Sequence, residues 1–188
     1  MPILGIIASS ISGNLDAGDF ESIATVSVGS GGAASIEFTS IPGTYAHLQV
    51  RGILRSAVAS GGDFAALTFN NVGGSSYATH YLYGTGTSGQ AFAFSSSAYI
   101  YLDFVAGAAQ TASVFSGYVL DILDYANTNK NKTVRWLGGN DLNGSGNISF
   151  QSGLFNSTIA ITSLKLQTNS GANFSQYSHF ALYGIRSA

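Results

Sequence analysis

Apolar residues recur along the chain in short runs that alternate with polar ones, and glycine, asparagine and serine separate the runs. Ile36 and Phe38 share one parity while Ser35 and Glu37 take the other, and Leu48, Val50 and Leu54 oppose Gln49, Arg51 and Arg55. A period of two is the signature of a strand with one buried face. The pattern predicts strands at residues 23–28, 35–38, 48–55, 64–69, 78–83, 98–102, 114–123, 133–137, 147–150, 159–167 and 179–185. Gly52 marks a bulge or a close approach. The switch of apolar parity between Ile161 and Leu164 predicts a bulge within 159–167. Residues 29–32, 60–62, 70–76, 84–90, 127–131 and 138–146 are rich in side chains that accept positive φ or bond their own backbone, and are predicted turns.

No stretch of a dozen residues carries a 3.6-residue apolar stripe with a cap and a stop. Regular short strands with Gly/Asn turns predict an all-β, antiparallel β-sandwich, and about ten strands favour a jelly-roll-like arrangement. The expected layout is one sandwich domain over residues 21–188, preceded by an extended N-terminal arm over residues 1–20. Within the arm MPILGIIASSIS is apolar, with Ile3, Leu4, Ile6, Ile7 and Ile11 as its candidate partner-binding side chains, and residues 13–19 are polar. No Lys or Arg precedes Arg51, so the arm reads as a docking segment rather than a secretory signal.

Composition narrows the function. The chain has 188 residues and is 45% apolar but only 9% charged, against about 25% charged in an ordinary soluble domain. No run reaches the ~18 apolar residues of a spanning helix, and 12% aromatics with a mean hydropathy of +0.23 oppose disorder. Seven scattered Lys and Arg and a net charge of −2 argue against nucleic acid as a partner. The absence of cysteine excludes disulfides, thiolate metal sites and a cysteine nucleophile.

Candidate chemistry is sparse. Residues 84–89, GTGTSG, match GxGxxG, but the sequence that follows lacks the helix a dinucleotide site requires, so a hairpin loop is expected. Asp141, Asn143 and Gly144 resemble a calcium loop without its later ligands. His47, His80 and His179 lack metal-ligand spacing, and no GxSxG elbow occurs. Asp121 and Asp124 lie three apart on a strand and so face opposite ways, which does not build an acid–base pair. A structural ion pair between one of them and Arg135 is expected instead. The sequons at Asn131, Asn147, Asn156 and Asn173 follow from composition. Tyr81 and Tyr83 share a face, as do Tyr99 and Tyr101; such pairs serve as sandwich core, as an interface or as a glycan-stacking platform.

Whole segments carry a resemblance: MPILGIIASSISG, FESIATVSVGSGGAASIEFTSIPGTYAHLQVRGILRS, LDILDYANTNKNKTVRWLGG and FALYGIR. In this order they resemble a family of small tailed-bacteriophage virion structural proteins, head decoration (cement) proteins or tail-associated jelly rolls. The resemblance implies a virion structural protein without catalytic residues or cofactor, of the head or of the tail. The arm-plus-sandwich layout favours the outer surface of the phage head, where the arm binds the major capsid protein and the protein assembles as a homo-oligomer, a trimer. The alternative left open is a tail-fibre or baseplate module that binds host surface carbohydrate.

Overall fold

The structure, a computed structural model, describes residues 19–186. It is all-β, with strands β1 (Phe20–Ser27), β2 (Ser35–Phe38), β3 (His47–Leu54), β4 (Gly62–Phe69), β5 (Tyr77–Gly84) and β6 (Gly89–Ser97) in its first half. The second half adds β7 (Ile100–Ala106), β8 (Ser116–Leu123), β9 (Lys132–Asp141), β10 (Gly146–Phe155), β11 (Leu164–Thr168) and β12 (His179–Ile185). An eight-stranded sheet runs β1-β12-β3-β8-β9-β10-β5-β6, and a four-stranded sheet runs β2-β11-β4-β7. Every pairing within them is antiparallel. Early strands pair with late ones and alternate between sheets, as β1·β12 and β2·β11 do, then β3·β8, β4·β7 and β5·β6. A long hairpin folded over itself gives this nesting, which is the jelly-roll logic expected from the sequence. The predicted arm side chains Ile3, Leu4, Ile6, Ile7 and Ile11 lie outside the described residues.

Between the sheets Trp136, Tyr77, Phe69, Phe155 and Phe174 are essentially fully buried. Tyr77 stacks on Phe155 at 5.0 Å and 17°, and its hydroxyl donates to the Val72 carbonyl at 2.9 Å while accepting from the Phe69 amide. The phenol is therefore buried at no hydrogen-bonding cost. Gly52 proves to be a close approach and not a bulge. The register of β3 is continuous on both sides, and a side chain at Gly52 would meet Leu54 at 3.2 Å and the Phe180 ring at 3.4 Å.

Four sequence expectations are corrected. Residues 159–163 are not strand: β11 starts at Leu164, and the parity switch near Ile161 marks a loop that buries Ile161 on its way in. The alternating AFAF stretch forms an additional strand, β6, whose edge position leaves nearly every residue exposed and weakens the pattern. Hairpin β9–β10 extends through residues read as turn, since glycine and asparagine there lie within the ladder.

The fourth correction concerns charge. Arg55, expected on the solvent face, lies just past β3 and is 9% exposed. Its guanidinium donates to the carbonyls of Thr111 (2.9 Å), Val114 (2.7 Å) and Gln110 (3.0 Å), so it organises the loop between β7 and β8. Lys132 works the same way: fully buried, it donates to the carbonyls of Asn127, Lys130 and Thr158. Burial pushes its ammonium below the usual lysine range. Removing such a cation strands several buried carbonyls at once. Arg55→Ala is expected to cost about 3 kcal/mol in urea unfolding and to open the loop at 107–115 to proteolysis. Arg55→Lys, a point charge without the planar fork, recovers only part.

Candidate functional site

The small sheet is too narrow to cover the large one. Its edge strand β7 packs over β8, β9, β10 and β5, leaving the inner face of the β5–β6 hairpin to be closed by side chains. There the pairing sets Tyr81 opposite Phe92 and Thr79 opposite Phe94. The rings form a ladder: Tyr83–Phe92 at 6.0 Å and 15°, Tyr81–Phe92 at 5.2 Å and 25°, and Tyr81–Phe94 at 6.0 Å and 23°. It crosses to β7 through Phe94–Tyr101 at 4.7 Å and ends on Tyr99, 4.7 Å from Tyr101. All four tyrosines singled out in the sequence thus meet in one cleft. Phe92 and Phe94, not among the residues singled out, complete it; the alternation of QAFAF beside a tyrosine-rich strand is the signal that finds them.

Hydrogen bonds hold the phenols in place. The Tyr83 hydroxyl donates to Gln90 Oε1 at 3.0 Å, and the Tyr99 hydroxyl lies 3.1 Å from that of Tyr101 and against Asn169 Oδ1. Desolvation, aided by the bond to Tyr101, pushes the Tyr99 phenol up to about 12.

The cleft has a polar floor because β10 is inside out. Its apolar Ile148 and Phe150 are 62% and 59% exposed on the outer face, while Ser149 and Gln151 point inward at 1% and 3%. Gln151 Nε2 donates to Ser149 Oγ at 3.0 Å, but Gln151 Oε1 has no partner among the described residues, and neither has Asn140 Nδ2. The cleft opens as a cavity of about 540 Å³ against Phe64, Tyr81, Tyr83, Phe92, Phe104 and Asn140. A smaller cavity of about 170 Å³ reaches Gln151 beside Tyr81, Phe94 and Tyr101. No charged side chain lines either cavity among the described residues.

The outer face of the large sheet is the second unusual surface. Registers place Val119, Leu137, Phe150 and Leu82 side by side across β8, β9, β10 and β5. All four are exposed, and Ile53 and Ile148 extend the patch in the next row. Between those two isoleucines Gly117 and Gly139 lie level with them, leaving an open groove of about 930 Å³. A polar row flanks the patch: Arg135 Nε bonds Asp121 Oδ2 at 3.1 Å, and Gln49 Nε2 bonds Asp121 Oδ1 at 2.8 Å. The expected ion pair therefore exists, with Asp121 as its acid. It sits at the surface, where such a pair contributes little.

The remaining candidates do not converge. Asp124 follows β8 and pairs with Lys130, whose ammonium holds its carboxyl below the usual range. His47 Nδ1 accepts from the Asp124 amide at 3.0 Å, and His179 Nδ1 lies 3.0 Å from Ser27 Oγ. Among the described residues no group of three or more His, Asp or Glu is placed to hold a metal ion. The GxGxxG stretch is the β5–β6 hairpin loop, as expected. The calcium-like segment is the β9–β10 hairpin, where Asp141 Oδ1 caps the Asn143 amide at 2.8 Å and Asn143 and Gly144 take positive φ.

No protein-family model matches the chain, and no curated protein matches it. Among solved structures the chain is similar to the galectin LEC-6 of Caenorhabditis elegans, at 9% identity and a TM-score of 0.35, covering 87% of this chain and 96% of that one.

The aromatic cleft predicts an alkaline signature. Tyr99 keeps its proton in the fold after an unfolded tyrosine would lose it, so the folded state binds more protons above pH 10. Its stabilising contribution is present below that pH and falls as pH rises toward about 12. Burial also raises Tyr77 and Tyr125, and the bond to Glu21 raises Tyr45, so absorbance titration is expected to show several late phenolates, with one fewer in Tyr99→Phe.

Proposed function

We propose that this chain is a non-catalytic structural protein of a tailed-bacteriophage virion, a decoration protein on the outer surface of the head. It binds the major capsid protein through its N-terminal arm and trimerises with copies of itself through the outer face of the eight-stranded sheet. The observation that carries this reading is the apolar row Val119–Leu137–Phe150–Leu82, exposed on adjacent strands and extended by Ile53 and Ile148. A contiguous apolar patch of this kind marks an interaction surface.

Two further features support assembly. β6 is an edge strand without Pro, Lys or Glu, so no edge charge opposes pairing with another chain. The 9% charge content leaves few ions to desolvate when surfaces meet. The whole-segment resemblance supplies the virion context, and repetition on a shell lets each contact be modest because avidity accumulates. A closed trimer covers apolar faces that a lone copy would leave wet.

Deleting residues 2–12 is expected to abolish capsid occupancy while leaving a trimer in sedimentation velocity; undiminished occupancy removes the anchoring role. Leu137→Asp with Phe150→Asp is expected to convert the trimer to a folded monomer. Both side chains are at least half exposed, so the cost to the fold is expected to stay at about 1–2 kcal/mol, most of it from two carboxylates facing each other across β9 and β10. A trimer that survives the pair contradicts the assigned interface.

A further inference from the structure

We propose that the cleft between the β5–β6 hairpin and β7 binds a neutral carbohydrate. One C–H face of a pyranose packs on the exposed ring of Phe92 and on Tyr83, and its hydroxyls face the neutral polar residues Thr85, Gln110 and Asn140 that line the same cavity. This inference stands apart from the virion assignment, since it rests on the cleft alone.

The lining narrows the ligand by elimination. Its volume of about 540 Å³ is in the range that encloses small molecules. With no Lys, Arg, Asp or Glu among its described lining residues, it has nothing to offset the cost of desolvating an ion. Phosphorylated, carboxylated and sulfated ligands are therefore disfavoured. A purely apolar ligand fits the rings but offers nothing to the neutral polar residues Thr85, Gln110 and Asn140 on the same lining. What remains is an uncharged molecule with apolar faces and a rim of hydroxyls. A sugar hydroxyl both donates and accepts, so it suits the Thr85 hydroxyl and the Gln110 and Asn140 amides alike.

The arrangement also resists a merely structural explanation. Gln151 is 3% exposed on a face where a hydrophobic residue packs more simply, and its neighbours Ile148 and Phe150 are turned to solvent. Phe92 and Phe94 are 42% and 38% exposed, so they are not core residues that happen to touch. Half-exposed rings and the neutral amides of Gln110 and Asn140 on one cavity wall are the two parts of a stacking site.

The test uses the full chain. Saturation-transfer NMR against glucose, galactose, mannose and N-acetylglucosamine, backed by a glycan array, reads binding directly; sialyllactose and adenosine serve as comparison probes. Phe92→Ala changes an exposed edge residue, and Gln110→Ala removes a lining amide; Glu37→Gln, exposed on the outer face of the small sheet, serves as control. Transfer to at least one neutral sugar is expected, with affinity falling at least about tenfold in each cleft variant and unchanged in the control. Near-UV circular dichroism checks folding, and Phe92→Ala carries the test if Gln110→Ala unfolds. Absence of any neutral sugar binding by the folded chain overturns the proposal. So does binding that survives in the folded cleft variants, or binding confined to sialyllactose or adenosine.

Discussion

An eight-stranded sheet in this protein has only four strands to pack against. At about 4.8 Å per strand, the large sheet is about 34 Å wide and the small one about 14 Å. Twist and curvature reduce the mismatch without removing it. Where the small sheet covers its partner, the core is conventional, with Trp136, Phe69, Tyr77 and Phe155 packed to near-zero exposure. Beyond β7 the inner face has no opposing strand, and aromatic side chains long enough to bridge the gap replace backbone. The cleft is a consequence of that width difference.

The same mismatch explains why polar residues are inside and apolar ones outside at one end. Along β10 and β5 the inward positions change from Phe155 and Tyr77, under the small sheet, to Gln151, Ser149 and Tyr81 beneath the cleft. The outward positions become Ile148, Phe150 and Leu82. A strand has two faces and one register, so whichever set points in, the other must point out. The polar floor of the cleft and the Phe150–Leu82 half of the apolar outer row follow from this inversion, whereas Val119 and Leu137 are exposed on strands whose inner face is apolar core. An isolated monomer gains nothing from either, which is the reason to read them as binding surfaces.

Much of this was legible in the sequence. Alternation located most strands to within a few residues, and the Gly/Asn loops located most turns, because the central strands keep one face in the core. β6 was not legible, since an edge strand has no covered face to impose a pattern. Arg55 is misplaced by the pattern because alternation ends where the strand ends, and nothing in the local sequence shows that loop carbonyls 56 and 59 residues on will surround a cation. Tyr81, Tyr83, Tyr99 and Tyr101 were found as two pairs, whereas their union required the crossing from β6 to β7 through Phe94. Which side of β10 faces the core is invisible locally, because its polar and apolar residues alternate equally well either way.

The account's central claim is that this sandwich works by fitting into a virion shell, with the apolar outer face against its own copies. Cryo-electron microscopy of the intact virion tests it most directly. The account predicts density for this chain at regular positions over the head lattice, in threes, with the β8–β9–β10–β5 outer faces turned toward one another and residue 19 directed at the shell. Density confined to the tail, or single copies with that face open to solvent, would contradict it.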